Sequence, residues 1–302
     1  VLTKCTRRRF LIATATATVA AVAACGSETG TVADDGSITV EHAFGETKVP
    51  APPTRVVSAG FTEHDDLLAV GVVPIAVTDW FGGEPFGVWP WAQPKLGGAQ
   101  PTVLNLDNGI QIDQIAGLKP DLIVATNAGL DADTYTKLSE IAPTIAQPGQ
   151  DAFFGPWKEQ ATLIGQAVFK NDEMAALIAT VDEKFTAAGE NNPQFAGKKV
   201  TLLQGRLGKD GPQAMTPAWR SDFLAQMGLV IADTPDAAEV LIWTTESPEE
   251  EAALLADPTV QQLNARNVFT GKELAGAIAF ASPLSYPLVA DQLPPRITEA
   301  LA

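Results

Sequence analysis

Asp66-Leu67-Leu68-Ala69-Val70-Gly71-Val72-Val73 and, in the second half of the chain, Asp222-Phe223-Leu224-Ala225-Gln226-Met227-Gly228-Leu229-Val230 decide the fold. Each reads as a helix end, a glycine stop and an apolar strand, since glycine takes the left-handed backbone that closes a helix. Working outward from the first copy, Arg55-Val56-Val57-Ser58 reads as a buried strand and Val73 to Thr78 as the next. Ile112 to Leu118 is a helix, Leu122 to Ala125 a strand, Asp133 to Ile141 a helix and Pro143 to Ala146 a short strand. Around the second copy, Lys199 to Leu203, Val240 to Trp243, Val268-Phe269 and Ala277 to Ala279 read as strands. Ala218 to Met227 is a helix, and Tyr286 to Leu301 a terminal helix bent at Pro294-Pro295. This alternation predicts an α/β fold of two lobes, each a mainly parallel sheet with flanking helices. Ile38 to His42 and Lys48-Val49-Pro50 form a small hairpin, in which His42 is structural.

Met174, Leu177, Ile178, Val181 and Phe185 fall on one apolar helical stripe between the halves. The helical region runs from about residue 156 to 188, with an interruption near Asn171-Asp172. Continuous helix of that length reaches roughly 45–50 Å. The expected layout is an N-terminal lobe over 38–150, a connecting helical region with a long central helix over 151–192, and a C-terminal lobe over 193–302.

Ahead of the lobes, Arg7-Arg8-Arg9-Phe10-Leu11 precedes an Ala/Thr/Val stretch that is short for a membrane span, the pattern of an export signal. Val22-Ala23-Ala24-Cys25 matches a bacterial lipobox, which assigns residues 1–24 to a signal peptide and makes Cys25 the lipidated residue. Residues 25–37, rich in Gly, Ser, Thr and acids, are expected to be a flexible tether. Cys5 and Cys25 are the two cysteines, so a globule starting after the leader has no disulfide and no thiolate metal site. Removing residues 1–24 takes away four of the 20 basic residues and none of the 36 acids, leaving a net charge of −20. That charge argues against nucleic acid as a partner.

Pro53 to Ser58, Glu63 to Pro74, Ile115 to Ala125 and Ser282-Pro283-Leu284-Ser285 resemble the class III solute-binding proteins of ABC importers. Trp80-Phe81-Gly82 through Trp89-Pro90-Trp91-Ala92 is similar to actinobacterial siderophore-binding members. The resemblance implies two lobes on a helical spine and a ligand between them, in a family that serves ferric siderophores, haem, cobalamin and some metal ions. It also implies a membrane permease as partner for a monomer held on the outer side of the cytoplasmic membrane by its lipid anchor.

In open α/β sheets ligands bind outside the carboxyl ends of the strands. That rule nominates Gly60 to His64, Asp79 to Trp91 and Thr126 to Leu130 in the first lobe. In the second it nominates Gln204 to Arg206, Trp219-Arg220, Trp243-Thr244 and Ser282 to Tyr286. Trp80, Phe81, Phe86, Trp89 and Trp91 within twelve residues suit a flat, partly apolar ligand. The competing reading is that these rings plug the first lobe. Arg206 and Arg220 could fork onto hydroxamate, phenolate or carboxylate oxygens, or be solvated surface. Glu63, His64, Asn127, Trp219, Trp243 and Tyr286 complete the candidate ligand-binding set, while Thr62-x-x-Asp65 reads as a capping box that leaves Asp65 a cap.

A ferric siderophore brings its own oxygen donors, so neither a cofactor nor a metal held by the protein is expected. Haem is the alternative ligand: it also wants aromatic walls and Arg, with His64, Tyr135 or Tyr286 as axial ligand. A bare metal-ion site lacks the histidines, of which there are two. An enzyme is disfavoured: there is no Gly-x-Ser-x-Gly elbow, both histidines precede residue 65, and Gly271-Lys272 lacks the earlier glycine of a phosphate loop. Glu249-Glu250-Glu251 reads as a solvated helix start.

Overall fold

A computed structural model describes residues 30–302. The expected signal peptide, the lipobox match and Cys25 lie outside the described residues. Residues 30–37 do not behave as a tether: Gly30 N–H donates to the Thr39 carbonyl, Ala33 N–H to the Ser37 carbonyl, and Asp35 pairs with Lys48 at 2.7 Å. These bonds tie the segment to the hairpin of β1 (Ile38–His42) and β2 (Gly45–Val49).

The first lobe follows with β3 (Val56–Ser58), α1 (Glu63–Ala69), β4 (Ala76–Thr78), β5 (Thr102–Leu104), α2 (Ile112–Leu118), β6 (Leu122–Val124), α3 (Ala132–Ser139) and β7 (Thr144–Ile145). Its five strands are parallel, in the order β5-β4-β3-β6-β7. Helices and loops cover both faces of such a sheet, and so β3, β4 and β6 are buried throughout and apolar except for Ser58 and Thr78 at the ends of the first two.

After α4 (Trp157–Ala167) and α5 (Asn171–Glu190), the second lobe contains β8 (Lys199–Gln204), α6 (Asp222–Gln226), β9 (Val230–Ile231), β10 (Val240–Thr244), α7 (Pro248–Ala256), α8 (Pro258–Gln261), β11 (Arg266–Phe269), α9 (Lys272–Phe280) and α10 (Tyr286–Leu301). Its parallel sheet has the order β11-β10-β8-β9. Ala277 to Ala279, expected as a strand, belongs to α9. A run of small apolar residues has no distinguishing period, and here it continues the helical face of Leu274 and Ile278.

The connecting region is an antiparallel helical hairpin, not one continuous rod of 156–188. The chain reverses at Phe169, whose φ is +61°, and Lys158 near the start of α4 pairs with Asp182 in mid-α5 at 2.6 Å. The long central helix is therefore α5 alone, about 30 Å for its 20 residues. Its buried stripe is Met174, Val181 and Phe185, with Leu177 and Ile178 half-buried. Helix α4 straddles the lobes: Leu163 and Ile164 pack in the first-lobe core, while Trp157 and Ala161 pack with Phe185, Phe223 and Tyr286 in the second.

Candidate functional site

A cleft of about 520 Å³ opens between the lobes. Trp80 and Phe81 from the loop after β4 form its first-lobe wall. The second lobe contributes Gln204, Gly205 and Arg206 after β8, Thr244 and Glu246 after β10, and Arg220. Strand order explains the placement. In the second sheet β8 and β10 are neighbours whose following segments diverge, which leaves a crevice at their carboxyl ends. The equivalent crevice between β3 and β6 is filled. The Glu63 carboxylate sits in it, accepting the Asn127 N–H at 2.7 Å and the Thr62 N–H at 3.0 Å. A Cβ on Gly60 would lie 2.1 Å from that carboxylate, so only glycine admits it.

Phe154, in the segment joining the lobes, is the floor of the cleft. Its backbone is held from both sides: its N–H donates to Asn127 Oδ1 at 2.8 Å and its carbonyl accepts Trp219 Nε1–H at 2.9 Å. Its ring lies 5.3 Å from Trp80 and 5.0 Å from the Arg220 guanidinium. Arg220 is buried, with Nη2 donating to the Ala279 carbonyl at 2.8 Å and Nε unpartnered. Burial pulls its guanidinium below the ordinary arginine value, so an anionic ligand oxygen placed on it would be stabilising.

Of the residues nominated from sequence, Trp80, Phe81, Arg206 and Arg220 line the cleft, together with Gln204, Gly205 and Thr244 of the nominated loops. The others do not. Trp243 is fully buried in the second-lobe core, donating to Asn267 Oδ1 at 2.8 Å. Tyr286 is core, edge-on to Trp157 and Phe185. Asn127 spends its side chain on Thr62 and Phe154. Trp219 sits beside the cleft, its ring 5.8 Å from Arg220. His64 is fully buried edge-on to Phe280; both ring nitrogens lack partners and burial pulls its pKa down to about 3, so it is a neutral packing residue. Phe154, Met215, Glu246 and Glu250 line the cleft without having been nominated, and Glu250 is thereby more than a solvated helix start.

Trp89 and Trp91 form the seam between the lobes. They stack at 4.9 Å, and the Phe280 ring of α9 lies 6.0 Å from one and 5.6 Å from the other. A Cβ added to Gly276 of α9 would come within 2.5 Å of the Trp89 indole. Asp65 is not a cap, and Thr62 makes no capping bond. Instead Asp65 Oδ2 accepts Trp91 Nε1–H at 2.8 Å and, across the seam, Ser282 Oγ–H at 2.6 Å. Lys272 of α9 adds bonds to the Gly82 carbonyl and Glu84.

Helix α1 buries Glu63, Asp65 and Asp66 together, and burial raises all three pKa values: Glu63 to about 7, Asp65 to about 6, Asp66 well above the ordinary range with help from its two acidic neighbours. An acid with a raised folded-state pKa contributes stability that is complete below its unfolded value and lost as pH rises through the folded one. His64, buried neutral, acts in the opposite direction as one group against three, so the denaturation midpoint is expected to fall as pH rises from about 4 to about 7. Asp65→Asn should keep an acceptor for Trp91 and Ser282 and flatten the profile; a midpoint that climbs across this window contradicts the assignment.

The family model for periplasmic binding proteins matches residues 56–261. The chain belongs to this family. Membership makes it a solute-binding protein rather than an enzyme. This periplasmic binding protein is similar to a periplasmic solute binding protein from Mycobacterium smegmatis str. MC2 155, with 67% identity and a TM-score of 0.86 over 89% of this chain and 100% of that one. Streptococcus pneumoniae TIGR4 PiaA, solved in complex with ferrichrome, shares the fold at TM-score 0.71 and 22% identity, over 87% of this chain and 98% of that one. The probable siderophore-binding lipoprotein YfiY of Bacillus subtilis (strain 168) is 30% identical over 191 residues, 62% of this chain and 56% of its own length. The periplasmic binding protein spans between 50% and 61% of the first curated relatives it matches. Among its described residues no helix is long and apolar enough to cross a membrane.

Proposed function

We propose that this protein captures a ferric siderophore in the cleft between its lobes and hands it to the permease of an ABC importer, as a monomer anchored through Cys25 outside the cytoplasmic membrane. The observation that carries this reading is the composition of the cleft wall: three aromatic side chains, Trp80, Phe81 and Phe154, beside Arg206 and Arg220. A chelate that brings its own iron donors needs ring area and hydrogen-bond donors from the protein, and no protein metal ligands. Among the described residues no three His, Cys, Asp or Glu side chains converge on a metal position. The relatives lend support, since YfiY is described as siderophore-binding and PiaA was solved with ferrichrome. Haem gains no such support. Of the axial ligands read for it, His64 and Tyr286 are buried in packing and the Tyr135 hydroxyl bonds to Thr47 of the hairpin.

Tryptophan fluorescence tests the proposal. Of the six tryptophans, Trp80 is the one lining the cleft. Ferric hydroxamate, catecholate and citrate chelates are to be titrated into protein lacking residues 1–25. At least one should quench saturably at micromolar concentration or below, and Trp80→Leu should remove most of the quench. Quenching by haemin alone would overturn the siderophore reading.

A further inference from the structure

Resting on that reading, we infer that the cleft selects ferric chelates of zero or positive net charge, built from hydroxamate-type donors and carrying N–H or ammonium groups, and discriminates against multiply anionic ones. The cleft holds four ionisable side chains, Arg206, Arg220, Glu246 and Glu250, whose formal charges cancel. None of the four belongs to an ion pair among the described residues. The two signs therefore remain available to a ligand and are not spent on each other.

Each sign is fixed in place by the fold, Arg206 following β8 beside the segment that carries Glu246. Arg220 is held at the floor by Phe154 and the Ala279 carbonyl. The carboxylates lie where β10 leads into α7, and Glu250 is held there by accepting the Glu246 N–H at 2.6 Å. Acids in the first turn of a helix are ordinarily explained by its dipole. That accounts for Glu249 and Glu251, which do not line the cleft, but not for Glu246, which precedes the Ser247 cap. A ligand complementary to both signs places oxygens against the guanidinium groups and hydrogen-bond donors against the carboxylates.

Three hydroxamates, each a single anion, leave their ferric complex uncharged, and an amine-bearing backbone makes it cationic. Three catecholates, each a dianion, leave a trianion. In a chain of formal net charge −16 the trianion meets a repulsive field, and its excess charge opposes Glu246 and Glu250 in a cleft with two arginines to offset it. Rejection by an unfavourable group is an efficient source of specificity.

The test uses the full chain in detergent, titrated with ferrichrome (uncharged), ferrioxamine B (cationic) and ferric enterobactin (trianionic). Both hydroxamates are expected to bind at least about tenfold tighter than the trianion. The double variant Glu246→Gln, Glu250→Gln should narrow that gap by raising affinity for the trianion and lowering it for ferrioxamine B. Glu246→Gln alone keeps the Glu250 bond to the loop and should give part of the same shift. A wild-type protein that prefers the trianion, or variants that move all three affinities together, would overturn the charge assignment while leaving the siderophore reading intact. Failure of all three to bind would instead remove the reading on which it rests.

Discussion

Arg220→Ala is expected to weaken binding of an uncharged ferric hydroxamate roughly 10- to 150-fold, the range implied by a hydrogen bond to a charged group worth about 1.5–3 kcal/mol. Three features make this the cleft side chain with the most to lose. It is buried, its guanidinium is pre-oriented by Phe154 and the Ala279 carbonyl, and its Nε–H has no protein partner to give up. A guanidinium already desolvated and held in place costs little to order on binding. Arg220→Lys restores charge without the planar fork and should recover only part of the affinity. Arg206 is exposed, and Arg206→Ala should cost much less. Isothermal titration measures all three. Equal losses at both positions would show that long-range charge, and not the geometry at Phe154, governs binding.

Trp89→Ala is expected to lower stability by about 3–5 kcal/mol, the usual cost of truncating a buried large aromatic. The indole is 1% exposed and fills the seam against Gly276, Phe280 and Trp91. Removing it leaves a hole that backbone on both sides holds open. Urea denaturation reads the loss directly. The result also separates two roles for this ring. As a seam residue, Trp89 contributes most of its effect to the unfolding midpoint. As a ligand wall, the substitution would leave the midpoint nearly unchanged and abolish chelate quenching, and that outcome would reverse the placement given above.

The cleft residues legible beforehand, Trp80, Phe81, Arg206 and Arg220 with Gln204, Gly205 and Thr244, all lie in segments that the strand-end rule singled out. Phe154 escaped because it lies in the connection between lobes, where no strand end points. Glu250 escaped because a helix-start acid explains itself locally, its N–H bonded to Ser247 Oγ, while its carboxylate lines the cleft. Glu63 was nominated for a real reason, being at a strand-end crevice, but the side chain is the crevice's occupant. A local pattern locates a position without saying what fills the space beside it.

The two-lobed α/β architecture follows from the sequence alone, because hydrophobic period, glycine stops and buried strands are properties of a few neighbouring residues. The division of labour among the tryptophans does not. Trp80, Trp89 and Trp91 share one loop and one chemistry, yet one faces the cleft and two join the lobes. What separates them is on the other lobe: Gly276 leaves room for the Trp89 indole, and Ser282 shares the Asp65 carboxylate that holds Trp91. Those partners are some 190 residues distant in the chain, and only the folded arrangement brings them there.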